Sequence, residues 1–351
     1  MDVDVLIVGQ GLAGSLLAWE LSSRGLRVCV VDDGQCNASR VAAGLINPVS
    51  GKRLVLQSNV AELLPAAKAC YDRLRRVFGS EFYVEKPMWK ILSDSTQKRQ
   101  AERRLQQTEY AGYLQATSAG GPGILAPFGI LRQLQTGYVK TESLLDALRT
   151  WLIARGSYRQ AEFDYADIQL APDLRWRDLK PRCIVFCEGH MARTNPWFGS
   201  LPFQPAKGVI LSCASQTPLP SRILNYGHWL LPLTPDTFKT GATFDPLNLN
   251  LDPEPASETA LLAELQTVVP DMAGIRVIRH QTGIRPATLD KEPLIGRHPQ
   301  HSCLHIFNGF GAKGSLLIPW CAQRFADFLQ QRAPLPSTCD IKRYYASHFS
   351  G

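Results

Sequence analysis

An apolar run over residues 3–8 is short enough to predict one buried strand. Glycines follow, then a helical pattern, then a second apolar run over 27–31 that ends in Asp32 and Asp33. Positions 60, 63, 64, 67, 71, 74 and 78 are apolar at helical spacing and predict a core helix over 60–78, with Pro65 in its first turn. Residues 82–92 have strand-like bulk, and 97–107 read as a polar, basic helix carrying Lys98, Arg99, Arg103 and Arg104. The stretch 118–123 is a glycine loop. Thr141 is placed to cap a helix with Leu144, Leu145, Leu148, Trp151 and Leu152 on one face, stopped by Gly156. Strands are expected at 183–187, 209–213, 229–231, 238–242 and 303–307, and further helices from Ser257 to before Pro270 and over 315–330. Helix–strand units at both ends, with strand-rich sequence between, indicate a nucleotide-binding domain interrupted by a second domain.

The first turn is where this pattern acquires chemistry. Gly9 permits a tight turn, Gly11 lets the backbone approach a pyrophosphate, and Gly14 lets the helix pack closely on the strand. Helix N-terminal N–H groups, here around Leu12 and Ala13, then face phosphate anions. Asp32 falls where an acid accepts a ribose hydroxyl, and no arginine takes its place, which argues against a 2′-phosphate. A lone glycine motif also fits an ordinary turn. Strand, glycines, helix, second strand and acid in order within about 30 residues point to a dinucleotide, without separating FAD from NAD.

Composition narrows this little. The chain has 351 residues, 45% hydrophobic and 20% charged, an ordinary globular balance. No run approaches the ~18 apolar residues of a membrane span, and the first apolar run lacks a cationic lead, so it reads as a strand rather than a signal peptide. Nine scattered cysteines without a CxxC pair suggest free thiols, and hence a cytoplasmic location. His298 and His301 have no cysteine or carboxylate cluster beside them, so no metal is expected. The net charge of +7 suits an anionic small molecule or cofactor phosphate better than nucleic acid, and the basic run at 98–104 reads as a solvated face.

Further motifs stand in a recognisable order: Ser39 through Gly44, Pro205-Ala206-Lys207-Gly208, Thr240-Gly241-Ala242-Thr243, GIRPATLDKEPLIG from Gly283, and Asn308-Gly309-Phe310-Gly311-Ala312-Lys313-Gly314. With the opening motif they resemble the D-amino-acid-oxidase-like FAD-dependent oxidoreductases, nearest in motif to glycine oxidase and sarcosine-oxidase-like flavoenzymes. The resemblance implies an α/β fold. A Rossmann-like FAD-binding domain of the glutathione-reductase-like class (1–80, 138–207 and 275–351) would be interrupted by an α+β substrate domain with a mainly antiparallel sheet (81–137 and 208–274). It implies non-covalent FAD, since no cysteine stands near Arg285 and Pro286. By the same resemblance Asp32, with Asp33 beside it, would hold the adenosine ribose. Ser39, Arg40, Ala43, Gly44 and Leu45 would line the pyrophosphate and flavin, and Phe163 would offer a backbone contact near the adenine. Gly309, Phe310, Gly311, Ala312, Lys313, Gly314, Ser315 and Leu316 would close over the flavin, with Lys313 itself free to face solvent.

The expected reaction is oxidation of a small amino acid or N-substituted amine bearing a carboxylate, reoxidised by O2 or another acceptor. Arg285 is the expected carboxylate anchor, because a planar, permanently charged guanidinium pairs bidentately with an acid. The family commonly adds a tyrosine where this chain has Trp229, whose indole can only donate; Tyr226 or His228 would compensate. Lys239 matches a lysine that assists oxygen in sarcosine-oxidase-like relatives, where glycine oxidase looks apolar; a solvated surface lysine is the other, favoured reading. FAD-dependent modification of the tRNA wobble uridine side chain, and a non-catalytic flavin-binding role, are the alternatives. Homo-oligomerisation stays open.

Overall fold

The structure is a computed structural model and describes residues 2–117, 121, 123–252 and 254–349. The opening run forms the strand Asp2–Val8, which lies inside a six-stranded sheet ordered Tyr158–Gln160, Val28–Asp32, Asp2–Val8, Lys180–Phe186, Leu304–Asn308, Leu294–Arg297. The first five are parallel and the last is antiparallel. Both faces are covered, which is why Val3 to Val8 is buried without alternation. On one face pack the helices Leu12–Ser23, Val60–Phe78, Thr141–Ala154 and Gly314–Leu329, through residues such as Leu17, Leu74, Leu148 and Phe325. On the other lie Trp176, Phe198 and Leu201. Each fully buried leucine or phenylalanine here contributes roughly 1.5–3 kcal/mol. Helix Leu12–Ser23 is buried from Leu12 nearly to its end, because it is wedged between the sheet and two neighbouring helices.

An eight-stranded sheet forms the second layer, ordered Arg276–Arg285, Ala206–Ala214, Thr237–Gly241, Trp229–Pro232, Ile223–Asn225, Met88–Ile91, Ile130–Gln133, Leu114–Thr117. Its pairs are antiparallel except Ile223–Asn225 with Met88–Ile91. Helix Pro255–Gln266 covers one face, packing Leu261 and Leu265 on Leu211, Cys213 and Phe238. The opposite face meets the segment after Asp32, where Ala43 and Leu45 pack against Met88, Ile223, Leu231 and Trp229. The cleft between the sheets is therefore walled by residues 38–45 on one side and the open sheet face on the other.

Several expectations from the sequence are corrected. Residues 82–92 divide into two strands in different sheets, Tyr83–Glu85 and Met88–Ile91. Pro65 sits inside the helix Val60–Phe78, past its first turn. Thr141 is the first helical residue and not the cap; its hydroxyl donates to Ala42 O at 3.1 Å. The polar strand Arg276–Arg285 carried no clear alternation, and it pairs along nearly its whole length with Ala206–Ala214, in the second sheet rather than the first. Most of the loop at 118–123 lies outside the described residues.

Candidate active site

At the mouth of the parallel sheet the glycines do what their spacing requires. Gly9 has φ +100, and a Cβ there would stand 2.6 Å from Cys187 O. A Cβ on Gly14 would stand 2.0 Å from Gly9 O, so helix and turn touch backbone to backbone. The N–H groups of Gly11, Ala13 and Gly14 find no acceptor among the described residues, while that of Leu12 donates to Ser39 Oγ at 2.9 Å. The Leu12 side chain is core, so only its backbone reaches the turn. Four first-turn donors aimed outward, one held by a hydroxyl, form an anion cradle.

Asp32 ends its strand beside this cradle with its carboxylate already engaged. Oδ2 accepts from Gln10 N at 2.7 Å, and Oδ1 accepts from Gly34 N at 2.9 Å and from Arg149 at 3.3 Å. Arg149 also donates to Gln10 Oε1 at 2.8 Å and stacks on Tyr158. The motif itself carries no arginine in place of Asp32, and helix Thr141–Ala154 brings one to it from 117 residues away. It is committed to Asp32 and Gln10. Asp33 turns outward and accepts from Gln35 N at 2.8 Å, closing its own turn.

Residues 38–45 form one turn of helix, Ala38–Val41, capped by Asn37, followed by extended chain. Arg40 pairs with Asp146 at 2.6 Å. Gly44 has φ +69 and no room for a Cβ, which would meet Val139 O at 2.0 Å. Phe163 stacks on Trp176 at 4.9 Å, and its own N–H and carbonyl carry no hydrogen bond among the described residues. At the C-terminal end, Asn308 donates to Gly189 O and Gly311 N to Pro286 O, fixing the glycine loop. The N–H groups of Ala312, Gly314 and Ser315 have no acceptor among the described residues. Phe310 and Leu316 bury their side chains in the core, Gly309 adopts φ +81, and Lys313 does not face solvent freely: it donates to Gln57 Oε1 at 2.6 Å, and burial lowers its pKa.

This set fits FAD. Two groups of N–H donors, at the first helix and at residues 312–315, have no acceptor among the described residues, and no side chain projects from Gly11 or Gly311 beside them. Gly11, Ala13 and Gly14 would hold the pyrophosphate, Asp32 the ribose, and Ala43, Gly44, Leu45 and the 309–316 loop the ring system.

On the antiparallel sheet the cleft face is set by register. Ala206 pairs with Arg285, Gly208 with Gly283, Ile210 with Gly241 and Gln281, and Gly241 with Trp229. Arg285 folds back over Gly208, where a Cβ would stand 2.2 Å from its terminal nitrogen. Its guanidinium donates to Thr243 O at 3.0 Å and Lys207 O at 3.4 Å, and it faces no carboxylate among the described residues. Burial lowers its pKa, yet a guanidinium keeps its charge. Gly283 packs on Ala38 and Val41, and Gly241 lies against the edge of the Trp229 ring, so these glycines, with Gly208 under the guanidinium, let neighbouring groups approach the sheet closely around Arg285.

Trp229 is half-buried on this face. Tyr226 and His228 are not: they sit on the opposite face, Tyr226 bonded to Thr240 at 3.0 Å and His228 to Ala242 O at 3.1 Å with Glu264 beyond. Neither compensates for the missing tyrosine, because alternate residues of a strand point to opposite faces. Lys239 lies on the cleft face in register with Ser212 and Leu231. It has no hydrogen bond or ion pair among the described residues, and burial lowers its pKa while Glu142 opposes the shift. Gln281, not singled out in the sequence, points a buried Oε1 without a partner from the same face.

The sequence profile of the FAD dependent oxidoreductase family matches residues 4–328. Glycine oxidase of Pseudomonas putida is 24% identical over 95% of this chain and 96% of its own. The tRNA 5-methylaminomethyl-2-thiouridine biosynthesis bifunctional protein MnmC of Marinobacter nauticus is 23% identical over 93% of this chain, which spans 56% of that protein. Among solved structures, glycine oxidase from Geobacillus kaustophilus superposes with a TM-score of 0.84 at 23% identity, over 98% of both chains.

Proposed function

The chain belongs to the FAD-dependent oxidoreductase family, and on that premise we propose that it oxidises a small amino acid or N-substituted amine through a carboxylate anchored by Arg285. When bound, FAD supplies the acceptor for the hydride that leaves the carbon attached to nitrogen. The protein's part is placement, which is worth up to about 7–11 kcal/mol of a barrier in favourable cases.

The observation that carries this reading is the Arg285 guanidinium, held by two carbonyls and facing no acid among the described residues. A charged donor set so poorly satisfied is completed by a carboxylate ligand in a bidentate pair. Gly208 is what lets the guanidinium lie against the sheet, since a Cβ there would stand 2.2 Å from its terminal nitrogen. Arg285 and Lys239 also disfavour a protonated amine nearby, and the neutral amine is the form that can release hydride. Trp229 walls the pocket with an aromatic ring. Lys239, which has no hydrogen bond or ion pair among the described residues, stabilises negative charge developing beside the cleft when O2 or another acceptor takes the electrons. In this reading residues 208–285, with 81–137, serve the substrate and the remaining segments serve the cofactor.

Anaerobic titration of the purified protein with amino acids, sarcosine and related amines tests the proposal. A carboxylate-bearing amine should bleach the flavin band near ~450 nm. A full panel without bleaching would overturn it. Peroxide formed in air marks an oxidase, and dye or quinone reduction without peroxide marks a dehydrogenase. The match to MnmC supports one second reading, in which tRNA binds tightly with a steep dependence on salt.

A further inference from the structure

The cleft face of the antiparallel sheet carries a second polar station that the Arg285 site does not use. One in-register row crosses it through Lys90, Asn225, Trp229, Gly241, Ile210 and Gln281. Lys90 is 6% exposed and pairs with no carboxylate among the described residues; its Nζ donates to Asn225 Oδ1 at 3.0 Å. Burial pushes its ammonium down to about 8.

That contact fixes the amide. An ammonium only donates, so the oxygen of Asn225 faces Lys90 and its NH2 group is turned away. The NH2 has no acceptor among the described residues, and Trp229, the register partner on the next strand, offers an indole N–H that also lacks one. The amide is thus held by a buried cation, while the Trp229 ring leans over Gly241 on the other side of its strand, where a Cβ would stand 3.3 Å from it. Arg285, Lys239 and Lys90 project from this face, and none of its in-register positions is aspartate or glutamate. The Thr243 carbonyl that holds the Arg285 guanidinium follows the strand Thr237–Gly241, which is two strands from Ile223–Asn225. Two strand spacings of about 4.8 Å, with two residues of rise at about 3.3 Å from Gly241 to Thr243, put the two stations about 12 Å apart.

We propose that Asn225, positioned by Lys90, binds a second acidic group of the substrate, so that the preferred substrates are secondary amines with a carboxylate at each end, the N-(carboxyalkyl) amino acids. One acid pairs with Arg285 and the other with Asn225, with the nitrogen between them beside the Trp229 ring, which covers Gly241. This rests on the anchor role of Arg285 and extends it.

The holoenzyme can be tested without turnover by following perturbation of the flavin spectrum by non-oxidisable acids. Adipate should bind at least about tenfold more tightly than propionate. Asn225→Asp, nearly isosteric, should abolish that advantage and leave propionate unchanged. Lys90→Met should reduce it, because the amide is then free to rotate. In turnover, iminodiacetate and longer N-(carboxyalkyl) glycines should exceed sarcosine in kcat/KM, with the Asn225→Asp loss appearing in KM. Equal affinity for the two acids, no perturbation by either, or an Asn225→Asp effect on both alike would overturn the proposal. If adipate binds as expected but no amine reduces the flavin, the proposed oxidation fails while this site stands.

Discussion

The two walls of the cleft present different kinds of chemistry. The parallel-sheet side offers main-chain N–H groups, exposed because Gly9, Gly11 and Gly14 let backbone approach backbone. The antiparallel side offers side chains, Arg285, Trp229, Lys239 and Asn225, projected at a period of two from strands distant in sequence. A main-chain cradle depends on a few neighbouring residues and tolerates no added atoms. A side-chain pocket depends on register and can change its ligand one residue at a time. This is why the chain keeps the complete dinucleotide motif while it departs from the family's usual residue at Trp229.

The sharpest way to break this contrast is on the main-chain side. Gly14→Val would drive atoms into Gly9 O, which already lies 2.0 Å from an added Cβ. It should cost roughly 3 kcal/mol or more and yield protein without flavin, read from the visible absorbance after purification. Arg285→Met should do the reverse. The flavin should remain, and kcat/KM for a carboxylate-bearing amine should fall by a factor of about 10² to 10³, equivalent to about 2.7–4.1 kcal/mol. Loss of FAD in that variant would erase the distinction between the walls.

Arg149→Met probes the one side chain that braces the cradle. Removing its bonds to Asp32 and Gln10 should weaken FAD binding by about tenfold, from a charged hydrogen bond worth ~1.5–3 kcal/mol, with kcat unchanged at saturating FAD. Fluorescence titration of the apoprotein checks it. The smallest effect concerns Glu188, beside the glycine turn. Burial pushes its carboxyl up to about 7, although Tyr165 and Asn195 donate to it at 2.7 and 2.9 Å. The folded protein therefore holds this proton more tightly than the unfolded chain, and the associated stability is lost as pH rises from about 4.5 to about 7. Glu188→Gln should show a Tm that gains on the parent across that interval and runs parallel above it.

The sequence alone determined the elements whose causes are local. The strand Asp2–Val8, the glycine turn, Asp32 at the end of the second strand and the amphipathic core helices all follow from spacing within about 30 residues. Arg285 and Lys239 stand out in the sequence through motifs that resemble those of a family, and pairing puts both on one sheet face. Tertiary structure decided the rest, because a strand's partner and register are not written in its own residues. Only pairing put Arg276–Arg285 beside Ala206–Ala214, turned Tyr226 and His228 away from the cleft, and aligned Lys90, Asn225 and Trp229 in one row. Only helix packing brought Arg149 to Asp32. The physical reason is the same in each case: side-chain direction alternates along a strand, so a pocket built across strands exists only after they have paired.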